Sequence, residues 1–156
     1  MKKLRVLLVD DEQEFVETMA DRLKMRDLQA SVAYDGEEAL SAVKEEEPDV
    51  IVLDLKMPGI DGIEVLRRVK KAYPKVEVII LTGHGSEKDE EVARSLGAFD
   101  YVTKPVDLDN LVPRIKDAFK QRMKKLQEMS MAVAFAEAGE FDTAKKIMEG
   151  DDDKKK

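Results

Sequence analysis

Acidic, hydroxyl and amino side chains follow the short apolar runs of this chain, at positions where they could do chemistry together. Asp10 and Asp11 follow the first run, and Asp54 follows the third. Thr82 ends the fourth run, and Lys104 lies just after the fifth. If the runs are parallel strands, their carboxyl ends meet at one edge of the sheet, which is where open parallel sheets bind ligands. We therefore expect these side chains to share one small pocket.

Carboxylates crowded into one pocket repel one another, and each raises the pKa of the others unless a cation joins them. The chain has no cysteine and a single histidine, so the pocket would offer oxygen ligands. Oxygen ligands favour a hard divalent cation, and we predict Mg2+. A cation held by Asp11 and Asp54 would neutralise an incoming phosphoryl group. Lys104 could pair with the phosphoryl oxygens and Thr82 could donate a hydrogen bond, so the pattern predicts phosphoryl transfer to a carboxylate.

The elements that must position these residues follow from the hydrophobic pattern. Short apolar runs alternate with stretches of helical period, which is typical of a parallel α/β sheet buried on both faces. The predicted strands are residues 4–9, 30–33, 50–53, 76–81 and 99–102. The predicted helices are residues 12–26, 36–46, 62–72, 86–96 and 107 to about 128. We predict an α/β fold with a doubly wound, five-stranded parallel sheet of order 2-1-3-4-5 and a C-terminal helical extension.

Composition and charge limit the classes of function. The 156 residues give room for one ordinary domain and a short appendage. No apolar run approaches the roughly 18–20 residues of a membrane span, and the first residues do not resemble a signal peptide, so we expect a cytoplasmic protein. The formal charge is −7. Because nucleic-acid affinity depends on neutralising phosphates, we expect no direct DNA binding.

Four motifs of the chain resemble those of response-regulator receiver domains. They are V-L-L-V-D-D-E at residues 6–12, I-V-L-D-L-K-M-P-G-I-D-G at residues 51–62, I-I-L-T-G-H-G at residues 79–85 and Y-V-T-K-P at residues 101–105. The resemblance covers about residues 3–120. It implies a flavodoxin-like fold and a role in two-component phosphorelay signalling.

Carried over by motif, the resemblance assigns the acceptor and its metal site. It implies that Asp54 is phosphorylated and that Asp11 binds Mg2+ directly. Asp10 belongs to the same metal site and orients it, and the backbone carbonyl of Lys56 completes the protein ligands.

The resemblance also implies a switch around the phosphate. Thr82 would be the switch hydroxyl and Lys104 the lysine that pairs with the phosphate. Tyr101 would be a ring that swings inward on activation. A cis peptide bond before Pro105 would aim Lys104.

His84 and Lys56 have two alternative interpretations. His84 is the only histidine and lies between two glycines, so an exposed loop residue is the simpler interpretation. In the family, however, the positions two residues after the acceptor and two after the switch hydroxyl border the path of the attacking water. Lys56 and His84 would then tune the lifetime of the phosphate.

The implied function is a signalling module rather than an enzyme that acts on a separate substrate. Its partners would be a histidine kinase or phosphotransfer protein and a downstream protein. One alternative is a phosphatase of the haloacid-dehalogenase type, whose nucleophile ends the first strand in a D-x-D motif. Here that position reads Asp10-Asp11-Glu12. The other alternative is a scaffold protein that no longer signals, against which the intact acidic site argues.

The chain beyond the motifs is predicted to be an appendage. We predict a receiver domain at residues 1–120, a helical extension at residues 121–150 and a disordered charged tail at residues 151–156. The extension resembles part of a single tetratricopeptide repeat arranged as a hairpin. Because one repeat cannot bury its own apolar face, the hairpin needs a docking surface on a second copy, as in a homodimer, or on a partner.

Overall fold

The computed structural model describes residues 3–139 and 144–148. Its strands are β1 (Arg5–Val9), β2 (Gln29–Ala33), β3 (Val50–Leu53), β4 (Glu77–Thr82) and β5 (Asp100–Thr103). Its helices are α1 (Gln13–Lys24), α2 (Gly36–Glu45), α3 (Gly62–Ala72), α4 (Glu87–Ser95) and α5 (Leu108–Glu137). All the predicted strands are present, and their bounds differ from the predicted ones by at most one residue.

The sheet is parallel throughout and has the order β2-β1-β3-β4-β5, which confirms the predicted arrangement. Its register decides which strand ends meet. Val9 of β1 pairs with Leu53 of β3, so the residues that follow them, Asp10 and Asp54, leave the sheet side by side. Thr82 at the end of β4 pairs with Thr103 of β5. The register therefore places the predicted site residues along one edge.

Helices cover both faces of the sheet and create two cores. Successive residues of a strand point to opposite faces. In β1, Val6 and Leu8 lie in the core that includes residues of α1 and α5. Leu7 and Val9 lie in the core that includes residues of α2, α3 and α4. Because both faces of the central strands are buried in apolar cores, the polar side chains that follow these strands gather at the strand ends.

Helix α5 is longer than the sequence pattern predicted. The predicted end lay near residue 128, whereas α5 continues to Glu137. No glycine or proline lies between Pro113 and Gly139, and residues 129–138 are rich in alanine and methionine, which favour helix. Gly139 has a φ of +84°, a conformation that glycine adopts readily at a helix end. The helix therefore runs on until the first residue that ends it.

The chain divides into two compact units, Met1–Phe119 and Lys120–Lys156. In the second unit, Ala132 of α5 is buried, and so is Ala144 of the helical segment at residues 144–148. The parts of the predicted hairpin at residues 140–143 and 149–150, and the predicted charged tail, lie outside the described residues. Within the described ranges, none of the helices has both the length and the apolar character that crossing a membrane requires.

Candidate functional site

Three carboxylates meet at the carboxyl edge of the sheet. Asp10, Asp11 and Asp54 each offer one carboxylate oxygen, and these oxygens lie within 4.8 Å of one another. Asp10 is 4% exposed and Asp54 is 5% exposed, whereas Asp11 is open to solvent. The cluster thus has a buried floor and one accessible side.

Hydrogen bonds hold Asp10 between two parts of the chain. Its Oδ1 accepts a hydrogen bond from the backbone N–H of Glu12 at 2.9 Å. Its Oδ2 accepts one from the Nζ of Lys104 at 2.7 Å. The backbone N–H of Lys104 donates to the carbonyl of Thr82 at 2.9 Å, which ties the lysine to the end of β4. Lys104 is therefore held beside the acidic cluster, as the sequence pattern predicted.

Asp54 has an unfavourable environment for a charged group. Burial raises the pKa of its carboxyl, and the neighbouring Asp10 raises it further. The Thr82 hydroxyl, Lys104 and the backbone N–H of Lys56 favour the charged form but do not offset burial. The Oδ1 of Asp54 is buried and accepts no hydrogen bond from the described residues. A buried carboxylate oxygen without a partner fits a hard cation, which would provide the missing positive charge.

Thr82 and Tyr101 lie next to each other beside the acidic cluster. Thr82 is fully buried, and its Oγ1 accepts a hydrogen bond from the backbone N–H of His84 at 3.4 Å. The hydroxyl of Tyr101 is buried and has no hydrogen-bond partner among the described residues. It lies over Gly85, where an added Cβ would be 1.5 Å from the hydroxyl oxygen and 2.9 Å from the Cγ2 of Thr82. The tyrosine ring thus points inward, into space that the missing side chain of Gly85 leaves open.

The remaining predicted residues lie around this centre. The peptide bond between Lys104 and Pro105 is cis, as the resemblance implies. The side chain of His84 is exposed, in line with the simpler interpretation of that residue. The Nζ of Lys56 is 3.8 Å from a carboxylate oxygen of Asp89 in α4, so this amino group is directed to α4.

Two residues near the site were not singled out from the sequence. Gly62 begins α3, and a Cβ there would lie 2.3 Å from the carbonyl oxygen of Asp54, so the loop after β3 can close only over a glycine. Phe15 in α1 places its ring 4.4 Å from the Nζ of Lys104. Gly62 is the last residue of the motif at residues 51–62, but Phe15 resembled any other apolar residue of α1.

Known proteins resemble this chain in sequence and in fold. A family model described as the response regulator receiver domain matches residues 6–116. A CheY-like receiver domain protein from Methanospirillum hungatei JF-1 is 26% identical, with a TM-score of 0.77, over 80% of this chain and 99% of that chain. A receiver domain protein from Clostridium thermocellum is 33% identical, with a TM-score of 0.73, over 77% of this chain and 97% of that chain. NtrX from Brucella abortus, solved in complex with ADP, is 28% identical, with a TM-score of 0.75, over 85% of this chain and 30% of that chain.

The family model covers more than half of the chain, and the chain therefore belongs to the response regulator receiver family. Receivers are phosphoacceptor modules of two-component systems, so the chain functions in phosphorelay signal transduction. The family match and these neighbours support neither the phosphatase nor the scaffold alternative. In addition, β1 is followed by Asp10-Asp11-Glu12 rather than by the D-x-D motif of that phosphatase class.

Gly85→Ala should expel the ring of Tyr101 from its inward position, because the new Cβ would occupy the place of the hydroxyl. Burial, together with Asp89 and Glu90, raises the pKa of Tyr101 above its ordinary value of 10.0, and exposure should lower it again. An NMR titration of the Tyr101 ring measures this change. Gly83→Ala is the matched control, because a Cβ there would have only ordinary contacts at 3.8 Å with Lys104. Equal pKa values in the two variants would contradict the prediction.

Asp54→Asn should change how the stability of the metal-free protein depends on pH. Burial raises the pKa of folded Asp54 above its ordinary value of 3.8. The stability contributed by its protonated form is therefore fully present below pH 3.8 and is lost as the pH rises through the raised pKa. Asparagine carries no charge, so the variant should exceed wild type in free energy of unfolding at neutral pH, by a margin that shrinks as the pH falls. Urea unfolding in EDTA measures the margin, and a margin independent of pH would refute this account.

Proposed function

We propose that the chain is a Mg2+-dependent phosphoacceptor in which Asp54 receives a phosphoryl group from the phosphohistidine of a histidine kinase or phosphotransfer protein. The observation that carries the proposal is the Oδ1 of Asp54, which is buried without a protein partner. Carboxylates of Asp10 and Asp11 lie beside Asp54, and Lys104 reaches the same cluster. This combination concentrates negative charge where a cation and a phosphoryl group would both be stabilised.

The acidic cluster supplies the residues that would hold the metal. Asp10, Asp11 and Asp54 would provide carboxylate oxygens, and the backbone carbonyl of Lys56 would complete the protein ligands. Oxygen donors without thiolate or imidazole favour Mg2+ over softer metals. When bound, Mg2+ supplies positive charge that offsets the charge on the phosphoryl oxygens.

The transfer itself is a displacement at phosphorus. A carboxylate oxygen of Asp54 donates an electron pair to form the new O–P bond. The P–N bond to the donor imidazole breaks, and the nitrogen keeps that electron pair. Lys104 then pairs with a phosphoryl oxygen, and the Thr82 hydroxyl donates a hydrogen bond to another. Apart from this phosphorylation and its own dephosphorylation, we propose no enzymatic activity.

Dephosphorylation would be set by the residues beside the site. Lys56 and His84 are exposed, and each follows a site residue by two positions. Attack by water on the phosphorus must come from the open side of the cluster. We infer that these two side chains tune the lifetime of the phosphate by limiting or assisting the approach of that water.

The output would be a change in a partner-binding surface. Movement of Thr82 towards a phosphate on Asp54 alters the surroundings of Tyr101, whose hydroxyl has no hydrogen-bond partner among the described residues. We infer that phosphorylation shifts the population of conformers on the face formed by α4, β5 and α5. That face would bind a downstream protein in the cytoplasm rather than DNA.

Our proposal keeps the domain organisation that the sequence predicted. A receiver at residues 1–120 is supported by the compact unit Met1–Phe119. The extension at residues 121–150 would bind a partner or form a homodimer, because Met131, Val133 and Met148 are exposed. The charged tail at residues 151–156 is assigned no function.

Acetyl phosphate with Mg2+ should add the mass of one phosphoryl group to the wild-type chain and none to Asp54→Asn, as measured on the intact protein. Asp61→Asn is the matched control, because Asp61 is exposed and serves as the N-cap of α3, which asparagine can replace. This control should gain the same mass as wild type. Equal modification of Asp54→Asn would contradict the assignment of the acceptor.

Asp11→Asn should weaken Mg2+ binding by at least about tenfold, because it removes a charged ligand from a site of few ligands. Asp11 is exposed, so the substitution should leave the fold intact. Isothermal titration with MgCl2 measures the dissociation constant, and Asp61→Asn again serves as the control. If Asp11→Asn and wild type have the same dissociation constant, Asp11 is not a ligand.

A further inference from the structure

Among residues 10–15, three side chains lie near the ammonium group of Lys104, and one of them is not polar. The first is the Oδ2 of Asp10 at 2.7 Å. The second is an oxygen of Glu12, which at 3.9 Å is too far for a direct hydrogen bond, and the side chain of Glu12 is 64% exposed. The third is the ring of Phe15, whose centroid lies 4.4 Å from Nζ. That distance is within the roughly 6 Å over which an aromatic face attracts a cation.

The backbone of Lys104 is fixed at the end of β4, because its N–H donates a hydrogen bond to the carbonyl of Thr82 at 2.9 Å. The side chain is only 16% exposed. Phe15 lies in the first turn of α1, where it is partly buried against the core. The ring and the amino group are therefore held together by two separate parts of the chain.

We propose that Phe15 is a positioning residue whose ring face holds the Lys104 ammonium beside the acidic cluster. The inference rests on the proposed function of Asp54 as phosphoacceptor. Asp10 is the strong partner of Lys104, but its oxygens are also metal ligands in that proposal. A neutral ring attracts the ammonium without competing for the metal and without adding a negative charge that would repel a phosphoryl group. Phe15 would thus hold the ammonium group of Lys104 near the acidic cluster while the oxygens of Asp10 bind the cation.

Two substitutions separate this role from simple packing. Phe15→Leu keeps an apolar side chain but removes the aromatic face, whereas Phe15→Tyr keeps the ring. Phe99→Leu is the matched control, because Phe99 is also partly buried against the same core and lies next to β5 at its opposite end from Lys104. A role in packing alone would make the two leucine variants behave alike.

The contact is tested first in the unphosphorylated full chain by proton NMR. The ring should shift the ε-methylene protons of Lys104 upfield in wild type, Phe15→Tyr and Phe99→Leu. The shift should disappear in Phe15→Leu. The signals of the Lys104 ε-methylene protons are assigned by their loss from the spectrum of Lys104→Met. Unshifted Lys104 protons in wild type would overturn the proposal.

The role is tested by the rate at which acetyl phosphate and saturating Mg2+ phosphorylate the chain. Phe15→Leu should react about two- to tenfold more slowly than wild type, the range expected for one cation–π contact. Phe15→Tyr and Phe99→Leu should react at close to the wild-type rate. In a Lys104→Met background, Phe15→Leu should cause no further loss, because the contact is already absent.

Failure of the inference differs from failure of the proposed function. If wild type is phosphorylated but Phe15→Leu is no slower than Phe99→Leu, or is slowed equally in the Lys104→Met background, Phe15 does not act through Lys104. If wild type gains no phosphoryl group at all, the function proposed for Asp54 fails, and the role of Phe15 fails with it.

Discussion

The constraint around which the site is built is the burial of acidic side chains at one edge of the sheet. Asp54 and Asp10 are both almost fully buried and lie close together, although like charges repel strongly where water is excluded. The fold keeps them there because the in-register pairing of β1 with β3 brings both strand ends to one place. Apolar residues at these buried positions would give a more stable fold. In the function we propose, this buried charge is what a cation and a phosphoryl group would offset.

Lys104 and Thr82 lie on two different sides of Asp54. Lys104 lies towards α1, where Asp10 and the ring of Phe15 receive its amino group. Thr82 lies towards β5, where its side chain adjoins Tyr101. In the function we propose, the side of Lys104 serves phosphoryl transfer and the side of Thr82 leads to the partner-binding surface. On each side, an aromatic ring lies next to a site residue.

Glycines decide how closely these parts approach. Gly62 lets the loop after β3 close against the carbonyl of Asp54, and Gly85 leaves the space that the Tyr101 hydroxyl occupies. Both glycines end motifs quoted from the sequence, but the motifs do not say which atoms approach them. Their contribution is the absence of a side chain. A methyl group at either position would force the backbone or a neighbouring ring to move.

Local pattern was sufficient for the strands and for the acidic cluster, because burial on both faces leaves apolar runs with polar residues at their ends. Asp10, Asp11, Asp54, Thr82 and Lys104 were all predicted on that basis. The sheet order followed from the general rules for doubly wound folds. The tertiary structure decided what depends on distances between segments far apart in the chain. The ring of Phe15 meets Lys104 across 89 positions, and nothing in the apolar stripe of α1 distinguishes it from a core residue. The closeness of the Tyr101 hydroxyl to Gly85, which lies 16 positions earlier in the chain, was likewise decided by the tertiary structure, because it depends on how β5 and the loop after β4 come together.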